Sequence, residues 1–113
     1  MDELWWQAAA EERLLLQSCL DCGHRQHYPR ALCTSCGGED LGWSRAGGGG
    51  TVDAFTTVHR APDPELAVPY VIARVRLDEG PILLTRLIGD EPWTCDERVR
   101  LTWWRGMPAF EKE

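Results

Sequence analysis

The sequence predicts a mainly β chain: an N-terminal helix, a small metal-binding ribbon, and a five-stranded barrel. Three observations carry this. Two Cys-x-x-C-Gly units, Cys19/Cys22 and Cys33/Cys36, are separated by ten residues. From Thr51 onward apolar residues recur with period two, between turn signals. Only residues 3–10 pair aromatics with a run of strong helix formers.

The segment D-E-L-W-W-Q-A-A-A-E-E-R-L-L-L-Q-S is expected to form a helix followed by an extended lead-in (residues 1–18), with Asp2 as N-cap. Trp5, Ala8 and Ala9 share one side, with Trp6 and Ala10 beside it. So short a helix is marginal alone, so its tryptophans either pack on this chain or anchor a protein partner, where Trp is enriched. Trp5 and Trp6 are therefore candidate interface residues.

Residues 19–46 are expected to form a rubredoxin-like zinc ribbon with Cys19, Cys22, Cys33 and Cys36 as ligands. A Cys-x-x-Cys pair spans one edge of a tetrahedron, and Gly23 and Gly37 fall where the knuckle demands a positive φ. Disulfides and a redox Cys-x-x-Cys pair fit less well with paired knuckles in a chain expected to carry no export signal. Four thiolates suit zinc best and iron second. Four protein ligands leave no open position, so the metal is structural. His24 and His27 are surplus to that shell. Gln26–Tyr28 and Leu41–Ser44 are the expected ribbon strands, and Gly47–Gly50 reads as a linker.

Residues 47–113 alternate as T-V-D-A-F-T-T-V-H-R, Y-V-I-A-R-V-R-L, I-L-L-T-R-L-I, R-V-R-L-T-W-W-R and A-F-E-K, joined across a Pro-rich loop and Gly turns. Val71, Ala73, Val75 and Leu77 point to one face of their strand, and Ile72, Arg74 and Arg76 to the other. Five short strands with little helix between them suggest an OB-fold barrel. Adjacent Trp103 and Trp104 must face opposite ways on a strand.

Composition narrows the function. Among 113 residues the net charge is −6. From residue 47 onward 8 basic residues face 11 acidic ones, a net of −3. A single-stranded nucleic-acid module, the alternative that ribbon and barrel together allow, needs the opposite sign. No apolar run approaches a membrane span, and a cytoplasmic location is expected. No catalytic constellation is visible. Cys95 lies between turn signals beside Asp96 and Glu97, whose charge works against a thiolate nucleophile, and His59 beside Arg60 is a lone acid/base candidate. Arg74, Arg76 and Arg86 project from adjacent strands, with Arg98, Arg100 and Arg105 on or beside the next. Planar guanidinium forks suit phosphate oxygens; a solvated face balanced by acids is the simpler account.

The stretches L-W-W-Q-A-A-A-E-E-R-L-L-L-Q-S-C, C-G-H-R-Q-H-Y-P-R-A-L-C-T-S-C-G and P-Y-V-I-A-R-V-R-L-D-E-G-P-I-L-L-T-R-L-I-G cover nearly the whole chain. Together they resemble a bacterial and archaeal acyl-CoA-associated family long catalogued as a domain of unknown function. That resemblance implies an accessory subunit of thiolase-superfamily enzymes, including lipid-transfer-protein-like thiolases that act as aldolases. It implies a CoA thioester as ligand of the complex, with Arg74, Arg76 and Arg86 as candidate contacts. It also implies a hot-dog-fold hydratase as a possible fusion or complex partner. A retro-aldolase complex in steroid or lipid side-chain degradation is the expected setting. Where the family often has a glycine before its penultimate strand, this chain has Cys95-Asp96-Glu97.

Overall fold

The computed structural model describes residues 3–60, 64, 68–89 and 92–113. Asp2 and most of the Pro-rich loop lie outside the described residues. Helix α1 (Glu3–Ala10) buries Trp5, Ala8 and Ala9 and leaves Trp6 half exposed. It stops at Glu12, whose φ of 59° is left-handed. There the Arg13 N–H donates to Ala8 O and the Glu12 N–H to Ala9 O, satisfying carbonyls the helix leaves open.

The expected lead-in is itself a strand. β1 (Leu15–Cys19) is the middle of a three-stranded sheet, between β2 (Arg25–Gln26) and β3 (Leu41–Arg45). β2 ends sooner than the expected Gln26–Tyr28 because Pro29 has no N–H to give, and buried side chains take over. Gln17 Nε2 donates to Arg30 O, and Gln17 Oε1 accepts from the Arg30 N–H and from Gln26 Nε2. Gln26 Oε1 in turn accepts from the Thr34 N–H. Two glutamines thus do for this loop what a longer ladder would have done.

The barrel comprises β4 (Gly49–Val58), β5 (Tyr70–Leu77), β6 (Ile82–Ile88), β7 (Arg98–Trp104) and β8 (Met107–Lys112). It closes in the order β4-β5-β6-β8-β7, antiparallel except for a short parallel β6–β8 contact. This is the OB-fold barrel. Val71, Ala73, Val75 and Leu77 are all buried, as the period-two reading requires, with Val52, Val99 and Phe110 fully enclosed beside them.

The glycine run is not a linker. Gly49 and Gly50 pair with Arg100 and Val99 of β7, and Gly50 also pairs with Leu77 of β5. A Cβ on Gly50 would stand 2.7 Å from Val75 Cγ1 and 3.0 Å from Arg76 O, so two neighbouring strands approach closer than any side chain permits. The Gly47 N–H donates to Glu79 Oε2 at 2.7 Å, which ties the junction to the β5–β6 turn. Trp5, Ala9, Leu14, Leu16 and Ala46 join the barrel residues in one apolar cluster, so helix, ribbon and barrel share a core. The radius of gyration, 15.0 Å, exceeds the roughly 13 Å of a compact chain this long, as two packed lobes require.

Candidate metal centre and partner-facing surface

The two knuckles are built alike. The Gly23 N–H donates to Cys19 O and the Gly37 N–H to Cys33 O, each at 2.9 Å, with φ of 80° and 76°. Each left-handed glycine folds its second cysteine back toward the first. The four Sγ atoms all lie within 4.8 Å of one another. Cys19 and Cys36 are 3.6 Å apart, and Cys22 and Cys33 3.7 Å. Thiolates about 2.3 Å from a tetrahedral metal are separated by about 3.8 Å, so the cluster fits a metal; a disulfide, at about 2.05 Å, would not leave such gaps.

The backbone completes the site. N–H groups of Cys36 and Ser35 directed at Cys33 bring that thiol down to about 6. Cys36 receives the Gly38 N–H, yet its neighbours Cys22 and Cys19 push it up to about 12. Without a cation the four thiols cannot all ionise together, and a divalent metal removes that conflict. The ribbon is a four-cysteine metal-binding module, filled by its own ligands.

Both spare histidines are accounted for. His24 Nε2 meets Thr34 Oγ1 at 3.0 Å. His27 is half-buried against Trp5 (ring centroids 5.8 Å apart) and Tyr28 (4.1 Å). Burial lowers its pKa to about 4, so the ring is neutral at pH 7.

The candidate interface tryptophans separate. Trp5 is buried, and Trp6 stands edge-on to it with ring centroids 4.8 Å apart. Together with His27, Tyr28, Leu84 and Met107 they line an apolar depression of about 160 Å³ where α1, the ribbon loop and the barrel meet. Trp6, Tyr28, Leu84 and Met107 are all among the large exposed apolar residues. Leu84 also borders a second shallow depression with Phe55 and Ile72. The two form one apolar strip crossing helix, ribbon and barrel.

The candidate arginines separate as well. Val52 pairs with Val75 and Ala54 with Arg74, so Asp53 is the extra residue of a β-bulge. Its carboxylate reaches Arg74 (3.5 Å) and Arg76 (3.2 Å) together. Arg98 is held bidentate by Asp78 and also meets Glu113, and Arg100 meets Glu111. The Arg98 guanidinium holds the Asp78 carboxyl below its ordinary value. Arg86 instead lies over the rings of Tyr70 and Trp104. Trp103 packs against the core while Trp104 meets the arginines, the opposite facing that adjacency on a strand demands. Cys95 and His59 are exposed, and neither side chain has a hydrogen-bond partner among the described residues.

Known proteins match this arrangement. A family model for the rubredoxin-like zinc ribbon domain of ChsH2 matches residues 6–42, and one for the ChsH2 C-terminal OB-fold domain matches residues 43–104. A probable enoyl-CoA hydratase alpha subunit of Thermomonospora curvata is 39% identical over 88 residues, covering 78% of this chain and 28% of that protein. This chain therefore spans little more than a quarter of that relative. A DUF35 domain-containing scaffold protein of Pyrococcus furiosus is 32% identical over 98 residues, covering 86% of this chain and 72% of that protein. Among solved structures, an Ltp2-ChsH2(DUF35) aldolase chain superposes with a TM-score of 0.90 at 33% identity, covering 98% of this chain and 93% of that one. A DUF35 protein of Sulfolobus solfataricus shares the fold, with a TM-score of 0.74 at 16% identity over 98% and 84% of the two chains. No helix among the described residues is long and apolar enough to cross a membrane. With both its halves matched, the chain belongs to the ChsH2/DUF35 family of zinc-ribbon and OB-fold proteins.

Proposed function

We propose that this chain is the accessory subunit of a two-component acyl-CoA aldolase, docking onto a thiolase-superfamily partner that carries the catalytic nucleophile. The observation that carries this reading is the likeness over 98% of the chain to the Ltp2-ChsH2(DUF35) aldolase. Thiolase chemistry asks for a thiolate beside a histidine; Cys95, the cysteine outside the ribbon cluster, is exposed and is not hydrogen-bonded to any base among the described residues. The resident ion is zinc, which braces the ribbon and takes no part in the reaction.

The partner sits on the apolar strip, with Trp6 as its exposed anchor and Trp5 as the buried support behind it. The barrel faces the CoA end of the thioester. Hydration of an enoyl-CoA supplies the β-hydroxyacyl thioester that a retro-aldolase cleaves, which accords with the hydratase named in the Thermomonospora curvata relative. Steroid or lipid side chains and a cytoplasmic setting suit such a complex.

The test is co-purification of this chain with thiolase-superfamily proteins from its own genome, followed by acyl-CoA turnover by the pair. A stoichiometric complex containing one zinc per chain, active only with both subunits, is expected. Trp6→Ala should weaken assembly about tenfold or more while leaving the melting temperature of the free chain within a degree or two. Turnover of an acyl-CoA by the isolated chain would overturn the division of labour. A red, redox-active preparation would replace zinc by iron.

A further inference from the structure

Four barrel arginines are committed to the chain's own carboxylates: Arg74 and Arg76 to Asp53, Arg98 to Asp78 and Glu113, and Arg100 to Glu111. Arg86 and Arg105 are not. Neither forms an ion pair or donates a side-chain hydrogen bond among the described residues; both are layered with aromatic rings instead. The Arg86 guanidinium carbon lies 4.5 Å from the Tyr70 ring centroid and 4.0 Å from that of Trp104, and the Arg105 carbon lies 4.7 Å from Trp104. Stacking engages the flat faces of a guanidinium and leaves its in-plane N–H donors free. Tyr70, Arg86 and Trp104 are each half-buried, so the plane in which those donors point is restrained. A cleft of about 460 Å³ lined by Tyr70, Arg86, Leu87 and Ile88 opens alongside.

Arg105 carries a second, independent sign. It is the first residue of the two-residue β7–β8 turn, with φ of 51°, followed by Gly106 at 77°. Such a turn favours Asn, Asp or Gly at its first position, because short polar side chains and glycine tolerate the left-handed backbone. An arginine there is disfavoured locally, and its guanidinium packs on the same Trp104 ring as that of Arg86. Residues held in sparsely populated backbone regions concentrate at functional sites.

We infer that Arg86 and Arg105, layered on Trp104, form a binding site for phosphate oxygens at this end of the barrel. Two unpaired forks offer more donors than one carboxylate can satisfy, whereas a phosphate monoester or pyrophosphate presents three or more acceptors and close to two negative charges. The site rests on the stack alone; only the choice of natural ligand, the nucleotide phosphates of an acyl-CoA, rests on the reading above. It also places the anion contact apart from Arg74 and Arg76, which already share the Asp53 carboxylate.

Isothermal titration of the zinc-loaded full chain with coenzyme A and, separately, with inorganic pyrophosphate tests this. Both are expected to bind in a salt-dependent manner, with R86Q/R105Q weakening each about tenfold or more and R74Q/R76Q changing each less than about threefold. R105N guards against misfolding: Asn suits the turn, so this variant should melt at the wild-type temperature or above while binding both anions more weakly. Coenzyme A binding indifferent to Arg86 and Arg105 would overturn the site and leave the acyl-CoA reading standing. Pyrophosphate binding that depends on both arginines, without coenzyme A binding, would uphold the site and remove its assigned ligand. Binding of neither anion, or an equal loss in R74Q/R76Q, would overturn the inference.

Discussion

The ribbon and the barrel reach a fixed shape by different means. The barrel encloses Val52, Val75, Leu77, Val99 and Phe110, and its order follows from burial of apolar area. The ribbon has little such core. Its sheet is three strands, one only two residues long, held by the cysteine cluster, the knuckle hydrogen bonds and the Gln17–Gln26 network. A region ordered by polar and metal contacts is geometrically exacting and conditionally stable, whereas one ordered by packing tolerates change in its surroundings. The shared residues Leu14, Leu16 and Ala46 decide how far each depends on the other.

Metal removal should separate the two most sharply. Structural zinc contributes on the order of 10 kcal/mol to folding, so chelation or Cys33→Ser should abolish hydrogen-exchange protection across residues 15–45. Barrel amides are expected to stay protected under the same conditions; their simultaneous loss would show that the two regions fold as one. Phe110→Ala attacks the other side. Opening that enclosed site should cost about 3–5 kcal/mol, read as a lower denaturant midpoint, with zinc still bound at low denaturant.

Gly50→Ala strikes the junction. With Val75 Cγ1 at 2.7 Å from the new Cβ, overpacking should cost about 1–3 kcal/mol, measured as a lower melting temperature. A flexible linker would show no change. The last concerns His27, whose pKa falls to about 4 in the folded chain through burial, against about 6.5 unfolded. Its contribution is present above the unfolded value and is lost as pH falls toward 4. The wild-type melting temperature should therefore decline more steeply between pH 6.5 and 4.5 than that of His27→Phe.

Much of this was legible in the chain. The knuckle spacing with Gly23 and Gly37 states the ribbon directly, because few other geometries need a glycine after each pair. The alternation through Val71, Ala73, Val75 and Leu77 states a strand with one buried face. Hidden features depend on partners distant in sequence. Gly47–Gly50 looks like slack, and only the approach of β5 and β7 shows why side chains are excluded there. Gln17 and Gln26 look like surface residues until Pro29 leaves a loop needing donors and acceptors. The arginines could not be sorted by strand position alone. A one-residue bulge directs Asp53 toward Arg74 and Arg76, and a bulge is invisible to period-two counting.

The ribbon's last strand ends at Arg45 and the barrel's first begins at Gly49, with Gly47 clamped to Glu79 between them. So short and pinned a passage behaves as a gauge block. Whatever grips the helix and ribbon is held at a set distance and angle from whatever occupies the barrel's far end. Adding residues between Ala46 and Gly49 would change the span of the instrument without altering either of its jaws.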